Sequence, residues 1–355
     1  MIMLIVTLSG CALAIDRRAF VSVIGIDQSD QPGKRYKVTL KISLFKGDPK
    51  QTGTDFVLLS ADAGTISEAL YKARAQTDKK LFFGHTKVIL FGEALARKEI
   101  RPLLDFFVKN REFQKNAYLA VAEPNAYNVL LHRPQQEPVA GFFLYSIFYL
   151  NEYESSNVGT LTLFDAYRRE IDPALNLAMP IVERQQERIR VERTALFNKS
   201  SIQLKLSSAE SRLIALLTTG VQDSEWIMHM DQGSYALKIV KGKASYSITE
   251  SAPAITARLQ IRMTVRVEEQ SNILMKAADA NMQKIEQQMK RTVQADTERL
   301  LLRIRDNKLD PIGFGLRYRS RHAYNAANFN KDQFLSRLVF KVSPVQVKRE
   351  IVKIE

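Results

Sequence analysis

Between Tyr36 and Leu44 the chain alternates strictly: Tyr36, Val38, Leu40, Ile42 and Leu44 are apolar, and Lys37, Thr39, Lys41 and Ser43 separate them. That period of two predicts a strand buried on one face. An apolar run, AFVSVIGID at 19–27, precedes it, and the intervening QSDQPGKR supplies a Pro-Gly turn, so the pair reads as a hairpin. Phe56 to Leu59 is a further short strand. Over 64–80 the period changes to that of a helix, with Ile66, Leu70 and Ala73 on one face, Thr65 as N-cap and Glu68 completing a capping box. LFFGHTKVILFG at 81–92 reads as one buried strand, followed by helices at 93–98 and 100–109, where Pro102 is tolerated in the first turn. AYLAVAE at 117–123 is another strand. The order β-β-α-β-α-β predicts a compact α+β domain over 12–135, closing on the linker HRPQQEP.

Residues 136–190 are partly aromatic and read as a small, mostly helical middle domain; the charged run ERQQERIRVER at 183–193 marks its boundary or an exposed edge strand. In the remainder, 191–355, Leu259, Ile261, Met263, Val265 and Val267 alternate with Arg258, Gln260, Arg262, Thr264 and Arg266, an amphipathic strand with a basic outer face. A long helix follows at 273–305, its apolar face carried by Ile285, Met289, Val293, Leu300 and Ile304 and uninterrupted by Gly or Pro. DPIGFG at 310–315 ends it, and strand character returns from Val339 to Val347. The expected core is this helix laid across an antiparallel sheet; a coiled coil is the runner-up, but the apolar spacing drifts from a strict heptad. The expected fold class is therefore α+β, multi-domain, with mixed or antiparallel sheets and packed helices.

The chain holds one cysteine in 355 residues, Cys11. One thiol makes no intramolecular disulfide, and one Cys with four scattered His does not assemble a zinc site. What remains for Cys11 is a place in a core, a reactive thiol, or a lipid attachment point. Its context points to the last. The apolar segment MIMLIVTL has signal-peptide character but is far shorter than the ~20 residues that span a bilayer. It ends in Leu8, Ser9, Gly10 and Cys11, the lipobox pattern: small residues fit a narrow peptidase site, and the thiol accepts diacylglycerol. Residues 1–11 thus read as a signal peptide and lipobox, and the expected group on Cys11 is a covalent acyl lipid, with no other cofactor and no metal. A basic n-region is missing, since the first cation is Arg17; the export signal as written implies a start further upstream or a trimmed chain.

Net charge is +14, which raises the question of nucleic acid. The excess is spread through the chain. The last 55 residues carry twelve Lys and Arg against five Asp and Glu, and residues 12–135 carry twenty against thirteen. No nucleic-acid-binding signature accompanies it, so no nucleic-acid partner is expected. Near an anionic bilayer the same charge is favourable by ~1 kcal/mol per Lys or Arg. Candidates for a partner or membrane surface are Arg258, Arg262 and Arg266 on the basic strand, and Arg317, Arg319 and Arg321 beyond the long helix.

Catalytic patterns are absent from the sequence. His85, His132, His229 and His322 form no ligand pair, and there is no GxSxG, P-loop or GxGxxG. FGHTK at 83–87 reads as a Gly-mediated bend with His85 and Lys87 pointing outward. A secreted, lipid-anchored hydrolase acting on cell-wall material is the alternative, since a carboxylate pair is assembled in space and leaves no local motif.

Several of these stretches, in order, resemble the Ger(x)C family, the lipoprotein C subunit of nutrient germinant receptors in bacterial spores. LSGC is followed by Asp16-Arg17-Arg18 and AFVSVIGID; the family has a tight Cys-Trp-Asp-Arg-Arg, from which the inserted ALAI and the missing Trp depart. LFFGHTKVILFGEALARKEIRPLLDFFVKN at 81–110 is the most specific match, ALFNKSSIQLKLSSAESR at 195–212 is similar to a strand-turn-strand segment of the family, and DPIGFG resembles its DPxGFG. The resemblance spans essentially the whole chain. It implies a non-catalytic lipoprotein on the outer face of the spore inner membrane, working with an A-type and a transporter-like B-type integral-membrane subunit.

Overall fold

The computed structural model describes residues 17–44, 56–134, 141–153, 157–198, 200–230, 233–270, 279–321 and 329–350. Cys11 and the lipobox residues Leu8, Ser9 and Gly10 lie outside the described residues, as does His322. The described residues build two sheets with helices packed on them, a multi-domain α+β fold.

The first sheet begins with the expected hairpin, β1 (Arg18–Gln28) antiparallel to β2 (Tyr36–Ser43), extended by β3 (Phe56–Ala63). The run 81–92 forms two strands, not one. The bend at Gly84-His85 separates β4 (Lys80–Phe82) from β5 (Val88–Gly92), and both run parallel to β1. His85 is exposed against the rings of Phe20 and Phe82, and Lys87 bonds Gln114. Next in the sheet is β6 (Tyr118–Glu123), again parallel.

The structure divides the chain differently from the domain boundaries expected at 135 and 190. Helices α5 (Phe142–Tyr153) and α6 (Leu163–Ile171) are present in the middle segment, but β7 (Ala178–Gln185) then pairs with β6 and β8 (Arg188–Asn198) pairs with β7. The charged run is thus a hairpin turning at Gln186, whose φ of 52° is left-handed, and the first sheet continues to β9 (Ser201–Lys205). Among the described residues it has nine strands, in the order β3-β2-β1-β5-β6-β7-β8-β9 with β4 beside β1.

Helices cover both faces. On one side α1 (Ile66–Arg74), α2 (Glu93–Ala96), α3 (Arg101–Lys109) and α6 bury a core that includes Ile24, Phe91, Leu103 and Phe107. The Thr65 hydroxyl accepts from the Glu68 N–H, while the Glu68 carboxylate accepts from the Gly64 N–H instead of closing the box on Thr65. On the other side α4 (Ala126–Leu130) and α5 pack over Val23, Val88, Leu90 and Ala120. Asp27 at the end of β1 seats α4, its two carboxylate oxygens accepting from the N–H groups of Ala126 (2.7 Å) and Tyr127 (2.9 Å). A Cβ at Gly92 would lie 2.0 Å from that carboxylate, so only glycine fits beside it.

Among the described residues the second sheet has one covered face. Its strands are β10 (Val221–Met230), β11 (Gly233–Ser251) and β12 (Ala254–Gln270), an antiparallel meander, with β13 (Leu338–Val342) and β14 (Gln346–Arg349) running parallel to β12 along its far edge. The long helix is α8 (Asp279–Asp306). Ile285, Met289, Val293, Leu300 and Ile304 are all buried against the sheet, each contributing roughly 1.5–3 kcal/mol by removal from water. Helices α7 (Ser208–Thr218), α9 (Phe314–Arg319) and α10 (Lys331–Arg337) complete the same core. Strand β8 serves both units: Ala195 and Phe197 belong to the first core, and Leu196, pointing the other way, to the second.

Candidate functional site

Charged side chains gather in several places among the described residues; the ion pairs of Glu93, Glu123 and Glu183 with Arg97, Arg193 and Lys205 tie the first sheet together, and two other places, the joint between the units and the uncovered face of the second sheet, bear on what the protein meets. The joint is organised by the loop 310–313. Asp310 is 1% exposed, and its carboxylate accepts from three backbone N–H groups, those of Gly313 (2.7 Å), Phe314 (3.1 Å) and Gly315 (2.7 Å). Burial pushes this carboxyl up from the usual range, against the pull of the three amides and the Lys331 charge. Gly313 has φ of 94°, the left-handed conformation that leads the chain into α9.

From the first unit, Asn176 meets this loop edge to edge. Its N–H donates to the Asp310 carbonyl, its Oδ1 accepts from the Asp310 N–H (2.8 Å), and its Nδ2 donates to the Phe197 carbonyl (2.8 Å). The Arg169 guanidinium donates to the Asn176 and Pro311 carbonyls, and the Tyr246 hydroxyl to the Gly313 carbonyl. Burial, with Asp310 nearby, raises the Tyr246 hydroxyl to about 12. Beside this lattice lies a cleft of about 810 Å³ lined by Arg169, Glu170, Asp172, Asn198, Lys308 and Lys331, among others. Its acids are engaged: Glu170 accepts from Ser200, Asp172 pairs with Arg319 at 2.8 Å, and Asp332 pairs with Lys308 at 3.1 Å. Among the described residues no group of three His, Cys, Asp or Glu is placed to hold a metal ion. The chemistry on display at the joint is that of a rigid connection.

The six arginines singled out in the sequence fall on two sides of the second sheet. Arg258 and Arg262 are exposed on the uncovered face. Arg266 shares that face but is half-buried and paired with Glu350 at 2.8 Å. Arg317, Arg319 and Arg321 accompany α9 on the opposite, covered side, where Phe314 stacks on Tyr246. Arg319 is committed to Asp172 and lies over the Phe329 ring, Arg321 donates to the Ile248 carbonyl, and both Arg317 and Arg321 are exposed. The two candidate groups thus lie apart, Arg258 and Arg262 exposed on one side of the sheet and Arg317, Arg319 and Arg321 on the other. Sequence reading missed the cations that do join Arg258 and Arg262. Lys243 lies directly opposite Arg262, Lys341 beside Arg258, and Lys241 and Lys348 flank Thr264. The outward parity of Lys241 and Lys243 becomes legible only once the register of β11 against β12 is known.

Two family models match nearly the whole chain: one for the spore germination protein N-terminal domain, over residues 12–184, and one described as spore germination B3/GerAC-like, C-terminal, over residues 192–354. A putative spore germination protein YfkR of Bacillus subtilis strain 168 is 21% identical over 335 residues, covering 88% of this chain and 85% of that protein. Spore germination protein B3 of the same organism is 28% identical over 146 residues, covering 39% of this chain and 38% of B3. The crystal structure of the GerBC protein superposes with a TM-score of 0.60 at 15% identity, over 92% of this chain and 97% of that one. That likeness is one of fold.

Proposed function

The chain belongs to the GerAC family of spore germination proteins, and on that premise we propose that it is a membrane-tethered, non-catalytic subunit of a germinant receptor. In this reading Cys11 carries the lipid, and the two folded units scaffold or couple A-type and B-type integral-membrane subunits at the outer face of the spore inner membrane. The observation that carries the tether is LSGC at 8–11, holding the chain's one cysteine behind a short apolar run. No helix among the described residues is long and apolar enough to cross a membrane. Support for scaffolding comes from the joint, where Asn176 and Asp310 connect the units through one backbone hydrogen bond and one from the Asp310 N–H to the Asn176 side chain, and the neighbouring acids are held in ion pairs or by a hydroxyl.

The test is fatty-acid labelling with membrane fractionation in a spore-former, comparing the wild-type chain with Cys11→Ser. Two acyl chains, at ~0.8 kcal/mol per buried CH₂, give stable anchoring, so label and membrane association are expected to disappear together in the variant while folding is kept. A wild-type chain that stays unlabelled and soluble would overturn the tether.

A further inference from the structure

We propose that the uncovered face of the second sheet is a docking surface for an anionic lipid bilayer, contacted through Lys241, Lys243, Arg258, Arg262, Lys341 and Lys348. The proposal rests on the membrane-tethered reading only for where the chain works; the surface itself is read from register and charge.

All six side chains are exposed. In the register of the sheet Lys243 faces Arg262 across β11 and β12, and Arg258 lies beside Lys341 across β12 and β13. Like charges placed directly across strands oppose sheet formation, yet here they recur on neighbouring pairs. Two other cations of the face are neutralised, Lys238 by Asp223 at 3.2 Å and Arg266 by Glu350 at 2.8 Å. For the six, no carboxylate within ion-pair distance is found among the described residues. Glu152, in the cleft next to Lys241 and Lys243, is occupied by the hydroxyls of Tyr118 and Thr160. Among the described residues the hydrogen-bond partners of Arg262 are the neutral Gln346 and Gln260.

The spacing suits a plane of anions. At about 3.3 Å per residue Arg258 and Arg262 stand ~13 Å apart, and adjacent strands add ~4.8 Å laterally. The positions between them on this face are Ser245, Ser247, Gln260 and Thr264, short or neutral groups that let the long cations protrude. Protein interfaces concentrate aromatic anchors and are depleted in lysine; at the exposed positions of this sheet the large apolar side chains among the described residues are Ile227 and Val339, both on its outer strands. Single-stranded nucleic acid is held by stacking on aromatic side chains, which the same positions lack. A bilayer of phosphate headgroups asks for neither, and attracts each nearby Lys or Arg by ~1 kcal/mol.

The test uses the full chain as Cys11→Ser, so that no acyl group contributes, in sedimentation with phosphatidylcholine vesicles containing phosphatidylglycerol and with phosphatidylcholine alone. Binding is expected to the anionic vesicles only and to weaken at high salt. The double variant Lys243→Glu/Arg262→Glu should bind at least about 30-fold more weakly, from two contacts of ~1 kcal/mol each. Arg258→Gln/Lys341→Gln, which relieves a like-charge pair and so keeps the fold, should weaken binding in the same direction. Arg317→Glu, on the covered side of the sheet, should bind like the parent. Equal binding to neutral vesicles, equal loss in Arg317→Glu, or capture of an acidic peptide or duplex DNA without binding to anionic vesicles would each overturn the proposal. Because the acyl group is absent here, such a failure leaves labelling of Cys11 standing, and an unlabelled wild-type chain leaves this surface standing.

Discussion

The two sheets treat their faces in opposite ways. In the first, β5 and β6 are buried at every position, because α1, α2, α3 and α6 cover one side and α4 and α5 the other. In the second, β12 keeps a strict alternation from Ile255 to Val265, with one set of side chains in the core and the other in solvent. A sheet closed on both sides has given its side chains to packing. A sheet with one bare side keeps half of its side chains in solvent, and the long ones there include Lys241, Lys243, Arg258, Arg262, Lys341 and Lys348.

Two lysines condense that difference. Lys41 of β2 is 3% exposed; its ammonium donates to the carbonyls of Leu130 (3.0 Å) and His132 (2.8 Å) and sits 3.9 Å above the Phe56 ring. Burial, aided by the nearby Arg133 and Arg184 charges, lowers it to about 7. Lys243 of β11 is exposed on the bare face, opposite Arg262.

The comparison is broken most directly by Phe91→Ala. Phe91 is fully buried in the first core, and the change should cost about 3–5 kcal/mol in denaturant unfolding; a loss under about 1 kcal/mol would mean that the doubly covered sheet is not the stable element described. A smaller effect is expected at Lys41. Its pKa is lower in the folded chain than in the unfolded one, so between about pH 7 and pH 10 the unfolded state holds more protons and stability rises with pH. The slope from this one group is at most about 1.4 kcal/mol per pH unit. Subtracting the stability curve of Lys41→Met from that of wild type should isolate the rise, and parallel curves would contradict the buried cation. The smallest effect belongs to Lys243→Ser, expected within ~0.5 kcal/mol of wild type and on the stabilising side, since it removes a cross-strand repulsion. A loss above about 1 kcal/mol would show that the face is structural.

How much of this was legible depended on whether the deciding contacts are local. The apolar runs of β5 and β6, the cap at Thr65 and the apolar stripe of α8 are readable because their signals lie within one or two turns or strands. The alternation at 36–44 suggested one buried face. Thr39, Lys41 and Ser43 are nevertheless buried, with Lys41 held by carbonyls about 90 residues further along the chain. The supposed middle domain dissolved for the same reason, since only pairing with β6 shows that β7 belongs to the first sheet.

The arginines give the clearest division. Arg258, Arg262 and Arg266 recur every four residues along a strand, a multiple of its period of two, so their common face was readable from period alone; Arg317, Arg319 and Arg321 are spaced by two, but Arg317 and Arg319 are on a helix, where such residues do not share a face. By itself the sequence determined the family motifs, the types of most elements, the single candidate lipid site at Cys11 and the basic side of β12, all encoded in short-range period and spacing. Only the tertiary structure decided which strands pair, which faces are covered, and that Asn176, Asp310, Lys243 and Lys341 stand where they do, because hydrogen-bond register between distant segments is set by packing across the whole chain and leaves no local trace.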